Sequence, residues 1–388
     1  MFRRSRNKAP TRSGAVLCLF TLLLFSNPAL GGWWETEVVD GAGDVGRYAS
    51  LALDPATGTP CVSYYDNVSG EIRFAEKTPL GWNSDVVDKT DVGGRSPWTS
   101  LAFDPVSGRP AISYAGEYGN CVRFARRDGA GWTTDLVESS WLGSVYTTSL
   151  ALDASGHPRI AYWMSTSLHF AANDGSGWAL TPLGGSLNVI GGCSLALDPQ
   201  TAYPRICFIQ QETLWQGLMM ASYDGADWTL APVEGCSNTL CEVSLALDPA
   251  TGDARVACYN GDLVYASFDA GAWHHETVDA AGNVGRYSSL VLEPGTGRPI
   301  VSYYDETNGD LKLARRDGAS WNIETVDSEG DVGKWSSLAT DAVTGQLYVA
   351  YYDATHGDLK LAVWVPEPGT LSLLGLGLAA VVVRKRPT

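Results

Sequence analysis

The feature that most limits what this chain can become is a repeat. The stretch "SLALDP", or a close variant, recurs with its serine at Ser50, Ser100, Ser149, Ser194, Ser244, Ser289 and Ser337, at intervals of about 48 residues. A repeat of this size is one supersecondary unit that cannot bury its apolar face alone, so neighbouring units must stack. Seven such units fill the body of the chain.

Each unit reads as four short strands divided by turns. In the sixth, "SSLVLE" alternates small or polar with apolar residues, "PGTGRP" turns, and "IVSYYD" is rich in β-branched and aromatic residues. "ETNGD" then turns, "LKLARR" alternates, "DGAS" turns and "WNIETVD" alternates again. Period-two alternation bounded by Gly, Asp and Pro is a strand pattern. Four strands per unit predict an all-β fold, a seven-bladed β-propeller. An open solenoid is the competing array, and the chain ends separate the two. The seventh unit stops at Trp364 after three strands, and its fourth-strand element stands instead at the N-terminus. In "WWETEVVD", residues 33 to 40, Trp34, Glu37, Val39 and Asp40 take the places of Trp321, Glu324, Val326 and Asp327. Pairing the ends closes a ring over residues 32–364 and removes the open strand edges.

The flanks read as sorting segments. Residues 1–31 combine basic residues, an apolar run from Ala15 to Phe25 and a small-residue exit, the layout of a secretory signal peptide. Residues 365–388 begin Val365-Pro366-Glu367-Pro368-Gly369-Thr370, continue as an apolar run from Leu371 to Val383, and end with Arg384, Lys385 and Arg386. At about 1.5 Å per residue the run reaches about 20 Å against a hydrocarbon core of about 30 Å, which suits transient insertion. The basic cluster would stay cytoplasmic, leaving the body outside. This arrangement resembles the PEP-CTERM sorting signal. The resemblance implies an exosortase-type sorting enzyme as partner and delivery to the cell envelope or extracellular matrix of a bacterium, in company with exopolysaccharide.

The chain carries 27 Lys and Arg against 43 Asp and Glu, a formal charge of −16, and eight of the basic residues lie in the flanks. Such an acidic body repels nucleic acid and anionic lipid. Seven cysteines remain beyond the signal segment, an odd number in a compartment that permits disulfides. "EGCSNTLCE" replaces the usual glycine-rich link after the fourth unit, which predicts a local Cys236–Cys241 disulfide. Cys207 and Cys258 fall one register position apart on second strands of adjacent units, so they are expected on different faces.

Two loop types share one face of the expected disc. The link into each inner strand carries a cation and an aromatic residue: Arg47 and Tyr48, Arg286 and Tyr287, Lys334 and Trp335, with Arg95 and Trp98 in a variant. Aromatic faces beside cationic donors suit sugar rings and carboxylated glycans; the same residues could equally wedge blades apart. The loop between second and third strands carries acids five apart, Asp66 with Glu71, Asp305 with Asp310, and Asp353 with Asp358. These could ligate calcium, or simply form turns. The five histidines are scattered, and no nucleophile elbow or phosphate loop is present. The expected function is binding of a glycan or protein on the ring face. A surface protein without a dedicated ligand is the alternative, and a two-carboxylate glycoside enzyme is a third reading.

Overall fold

The computed structural model describes residues 31–90, 97–129, 131–140, 143–184, 187–211, 216–237 and 242–367. Contacts divide the chain into a propeller unit, Trp33–Val365, and a second unit formed by the two chain ends. The propeller holds seven four-stranded antiparallel sheets, one per repeat. Their innermost strands are Val45–Leu53, Thr99–Phe103, Val145–Leu152, Val189–Leu197, Val243–Leu247, Val284–Leu292 and Val332–Thr340, and these define blades 1 to 7. Blade 7 continues through Leu347–Asp353 and Asp358–Pro366, and its outer strand is Gly32–Asp40 from the N-terminus. The ring is closed by the strand that the seventh repeat lacks. The last strand runs to Pro366, so Val365 and Pro366 belong to the sheet and not only to the sorting segment.

The core lies between the blades. Seven apolar clusters occur among the described residues, one for each seam, and every one draws side chains from two adjacent blades. Val39 of the closing strand joins the cluster between blades 7 and 1, and Trp34 joins the one between blades 6 and 7, 5.3 Å from Trp364. Alternation along each strand sends successive side chains into opposite seams, which is why the second strands are apolar on both faces.

Two repeated polar devices lock the seams. The inner-strand serine of each blade accepts the backbone N–H of the leucine on the next inner strand: Leu101 from Ser50, Leu150 from Ser100, and so on round to Leu51, whose N–H reaches Ser337 Oγ at 2.9 Å. All seven seams carry this bond. The second device explains the "VD" that ends the outer strands. A buried second-strand tyrosine donates its hydroxyl to that carboxylate on the preceding blade, as in Tyr64 to Asp40 (2.6 Å), Tyr114 to Asp88 (2.7 Å) and Tyr303 to Asp279 (2.6 Å). Burial and the facing carboxylate push these phenols far up.

Cys207 and Cys258 fall on opposite faces of their own sheets, as expected, and those two faces meet. Cys207 and Cys258 lie in one cluster, between blades 4 and 5, together with Cys236. Opposite faces of neighbouring blades meet at a shared seam, so residues of opposite register can face each other. Cys258 occupies the tyrosine position and its thiol contacts that of Cys236. Cys241, the expected partner of Cys236, lies outside the described residues, as do Arg95, residues 1–30 and Pro368–Thr388.

Candidate functional site

The residues chosen from the inner-strand links come together. Tyr48, Tyr287 and Trp335 sit where each inner strand bulges, and the ladder is irregular between Arg47 and Ser50, Arg286 and Ser289, and Lys334 and Ser337. All three have left-handed backbone, with φ of +56°, +54° and +51°. Bulky residues rarely adopt this conformation, and such strain persists only where the surroundings impose it. The bulge turns each ring toward its neighbour across the seam. Trp98 stands 5.1 Å from Tyr48, Tyr48 stands 4.7 Å from Trp335, and Trp335 stands 5.3 Å from Tyr287, measured between centroids. An unbroken, half-buried aromatic arc therefore spans blades 6, 7, 1 and 2. Tyr352 and Tyr304 back it at 5.3 Å and 6.1 Å from Trp335 and Tyr287.

The cations are committed to loop carboxylates and aromatic faces. Arg47 pairs with Asp44 at 2.7 Å and lies over the Trp335 and Tyr352 rings. Arg286 pairs with Glu306 at 3.0 Å over Tyr287, and Lys334 pairs with Asp331 over Tyr304. Their role here is to fix the loops that hold the arc. Blades 3, 4 and 5 place Thr147, Gly192 and Glu242 at the ring positions of the aromatic residues. Glu242 ends the arc: its carboxyl accepts the Tyr287 N–H, burial raises its pKa, and Oε2 is buried without a partner. Sequence reasoning missed Glu242 because it interrupts the repeated pattern.

The paired acids do not assemble a calcium cage. Asp66, Asp305 and Asp353 lie in different blades, one per loop, and each spends Oδ1 on two backbone N–H groups of its own turn. The remaining oxygen meets a side chain: Arg73 at 3.4 Å for Asp66, Lys312 at 3.0 Å for Asp305, and His356 at 2.9 Å for Asp353. Although burial opposes it, hydrogen bonds from Asn308 and Lys312 hold Asp305 below the usual carboxylate range. Asp310 and Asp358 stand opposite Asp305 and Asp353 across the two strands, and burial together with Asp305 raises Asp310. A protein cation already stands beside the most buried of these pairs, so the turn role accounts for the pattern. Among the described residues, the group of three potential ligands close enough to share an ion is Asp153, His157 and Asp174. Arg159 stands between its acids, 2.9 Å from Asp153 and 2.6 Å from Asp174, where an ion would go.

That last group borders a cavity that sequence reasoning did not find. It measures about 410 Å³, lies between blades 3 and 4, and opens on the face opposite the arc, among the turns that follow the inner strands. Its walls include Arg159, Asp174 and Thr181 of blade 3 and Tyr203, Tyr223 and Trp228 of blade 4.

Comparison with known proteins gives two findings. Residues 365–386 match the PEP-CTERM protein-sorting motif, so the chain carries that motif beyond its seven-bladed propeller. No curated protein matches the sequence. Among solved structures, the chain is similar to the fucose-specific lectin from Aleuria aurantia at 16% identity, over 76% of this chain and 98% of that one, with a TM-score of 0.51. It is also similar to the SapL1 lectin in complex with alpha methyl fucoside, at 14% identity over 75% and 99% with a TM-score of 0.50. AofleA from Arthrobotrys oligospora matches at 12% over 77% and 91%, also with a TM-score of 0.50. At these identities the likeness is one of fold.

Proposed function

We propose that this protein is an exported propeller, sorted to the bacterial cell envelope or matrix by an exosortase-type enzyme after transient membrane insertion of its C-terminal segment, and that its ring face binds a glycan. The observation that carries the reading is the aromatic arc. Three bulky residues held in left-handed backbone, at positions where Gly192 and Thr147 serve elsewhere in the ring, are hard to explain by packing alone. An arc of π faces offers a platform for the C–H faces of successive sugar rings. The likeness in fold to lectins whose named ligand is fucose adds to this reading, and an acidic body fits a non-anionic glycan better than a uronate-rich one.

The test is retention on immobilised exopolysaccharide and on a glycan array, for the wild-type chain and for Tyr287→Ala with Trp335→Ala. Losing two platforms worth about 1 kcal/mol each should weaken retention by about tenfold or more. Unchanged retention, or none by the wild type, would favour a surface protein without a dedicated ligand. The ion-paired state of Arg47, Arg286 and Lys334 is what that second reading would build on.

A further inference from the structure

The seams of the propeller are not equivalent, and one register position shows why. Where blades 7 and 1 meet, Lys77 pairs with Glu37; at blades 1 and 2, Arg127 pairs with Asp85 at 2.9 Å; at blades 5 and 6, Arg316 pairs with Glu276. The cation precedes the turn after the third strand, and the acid is the third residue past the outer-strand tryptophan of the preceding blade. Between blades 3 and 4 the same two positions hold Tyr223 and Thr181. No ion pair can form there, and both residues line the cavity of about 410 Å³.

A second substitution sets this seam apart. In three other seams the inner hairpin glycine presses on an aspartate of the preceding blade. A Cβ on Gly156 would meet Asp104 Oδ1 at 2.5 Å, and one on Gly252 would meet Asp198 Oδ2 at 2.6 Å. Blade 4 has Ala202 at this position, still at a left-handed φ of +59°. Its methyl group forbids so close an approach to Asp153. Tyr203, next in the chain, is 38% exposed and packs its ring 5.6 Å from Tyr223, which in turn lies 5.4 Å from Trp228.

We propose that this inter-blade cavity is a second binding site, on the opposite face from the arc, for a single neutral pyranose unit. Its volume falls within the usual range for ligand pockets of about 300–1,000 Å³. One wall is aromatic, from Tyr203, Tyr223 and Trp228, and suits the apolar C–H face of a sugar ring. The other is polar and pre-oriented: Arg159 is held between Asp153 and Asp174, and the Asp174 side chain is 66% exposed. Hydroxyls can donate to these carboxylates and accept from Arg159. Two carboxylates to one guanidinium disfavour a uronate or other anionic sugar, which would add a third negative charge to the same wall. Because the two sites lie on opposite faces, occupancy of both would let one molecule bridge two glycan chains.

The inference concerns residues distinct from the ring face, so the two readings can fail separately. The experiment titrates the full exported chain with neutral methyl pyranosides (glucoside, galactoside, mannoside, rhamnoside and fucoside) and with methyl glucuronide as the anionic comparator, read by ligand-observed NMR. Thr181→Glu combined with Tyr223→Arg installs the ion pair found where blades 7 and 1, 1 and 2, and 5 and 6 meet. At least one neutral pyranoside is expected to bind the wild type, to lose tenfold or more of its affinity in the closed-seam variant, and to keep its affinity in Trp335→Ala. Tyr203→Thr, which restores the residue of blade 1 at an exposed position, is expected to weaken binding to the same ligand, and serves if the double variant does not fold. Binding unaffected by these changes, preference for the glucuronide, or no binding of any pyranoside would overturn the proposal.

Discussion

In a closed ring no seam is terminal, and the serine bonds make that testable. Replacing Ser337 by Ala removes only the hydroxyl that accepts the Leu51 N–H at 2.9 Å, while the Cβ and the packing around it stay. An orphaned, partly buried N–H costs about 1–3 kcal/mol, and partial access of water places this site near the low end, at about 1–2 kcal/mol. Ser149, which accepts the Leu195 N–H at 2.9 Å in the middle of the chain, provides the comparison. If the ring is closed, the two single variants should lower the midpoint of urea unfolding to a similar extent, within about 0.5 kcal/mol, with unchanged slope. The sites are distant, so the double variant should be close to additive. In an open array the seam between blades 7 and 1 would not exist. A Ser337 variant indistinguishable from wild type beside a destabilised Ser149 variant would therefore refute the closure argument.

Three further outcomes follow from the same geometry. Deleting residues 33–40 removes Trp34 and Val39 from two seam clusters and bares the edge of Asp358–Pro366, so differential scanning calorimetry should show a lower, broader transition accompanied by aggregation. Lys312→Met leaves the fully buried Asp305 without its cation, and should cost about 3 kcal/mol in chemical denaturation. Asp305 also sets a pH dependence. Its folded pKa is depressed below the ordinary value of 3.8, so its contribution to stability is present above that value and is lost as pH falls through the folded one. Asp305→Asn should lower Tm at pH 7 yet lose less than the wild type does on further acidification from pH 5 to 3.

How much of this could be read beforehand follows from what repetition records. The blade count, the four-strand unit and the borrowed strand at residues 33 to 40 were legible because each repeats, or completes a repeat. Arg47, Tyr48, Trp98, Arg286, Tyr287, Lys334 and Trp335 were legible for the same reason, but their left-handed bulges and ring-to-ring contacts arise only once the ring brings neighbouring blades together. The serine of "SLALDP" was visible as a marker, whereas its partner is a main-chain N–H about 48 residues away and leaves no trace in side-chain identity. Paired acids suggested an ion until Lys312, two positions past Asp310, proved to fold back beside Asp305. Strand register placed Cys207 and Cys258 on different faces, correctly for a single sheet, but a seam joins opposite faces of two sheets. The cavity between blades 3 and 4 was hidden because it sits where the pattern lapses: Thr181 and Ala202 stand where most blades have an acid and a glycine, and the positions of Tyr203 and Tyr223 vary from blade to blade.

The ring-face account is tested most directly by the binding of one soluble neutral oligosaccharide, identified on the glycan array, to three forms of the full exported chain: wild type, Tyr287→Ala with Trp335→Ala, and the closed-seam Thr181→Glu with Tyr223→Arg. Isothermal titration would supply the affinity and stoichiometry of each. The account predicts that an oligosaccharide long enough to span several rings keeps its ring-face affinity in the closed-seam form and loses about tenfold or more when the arc is cut. Equal affinity in the arc variant and the wild type, with the fold intact by thermal unfolding, would contradict it.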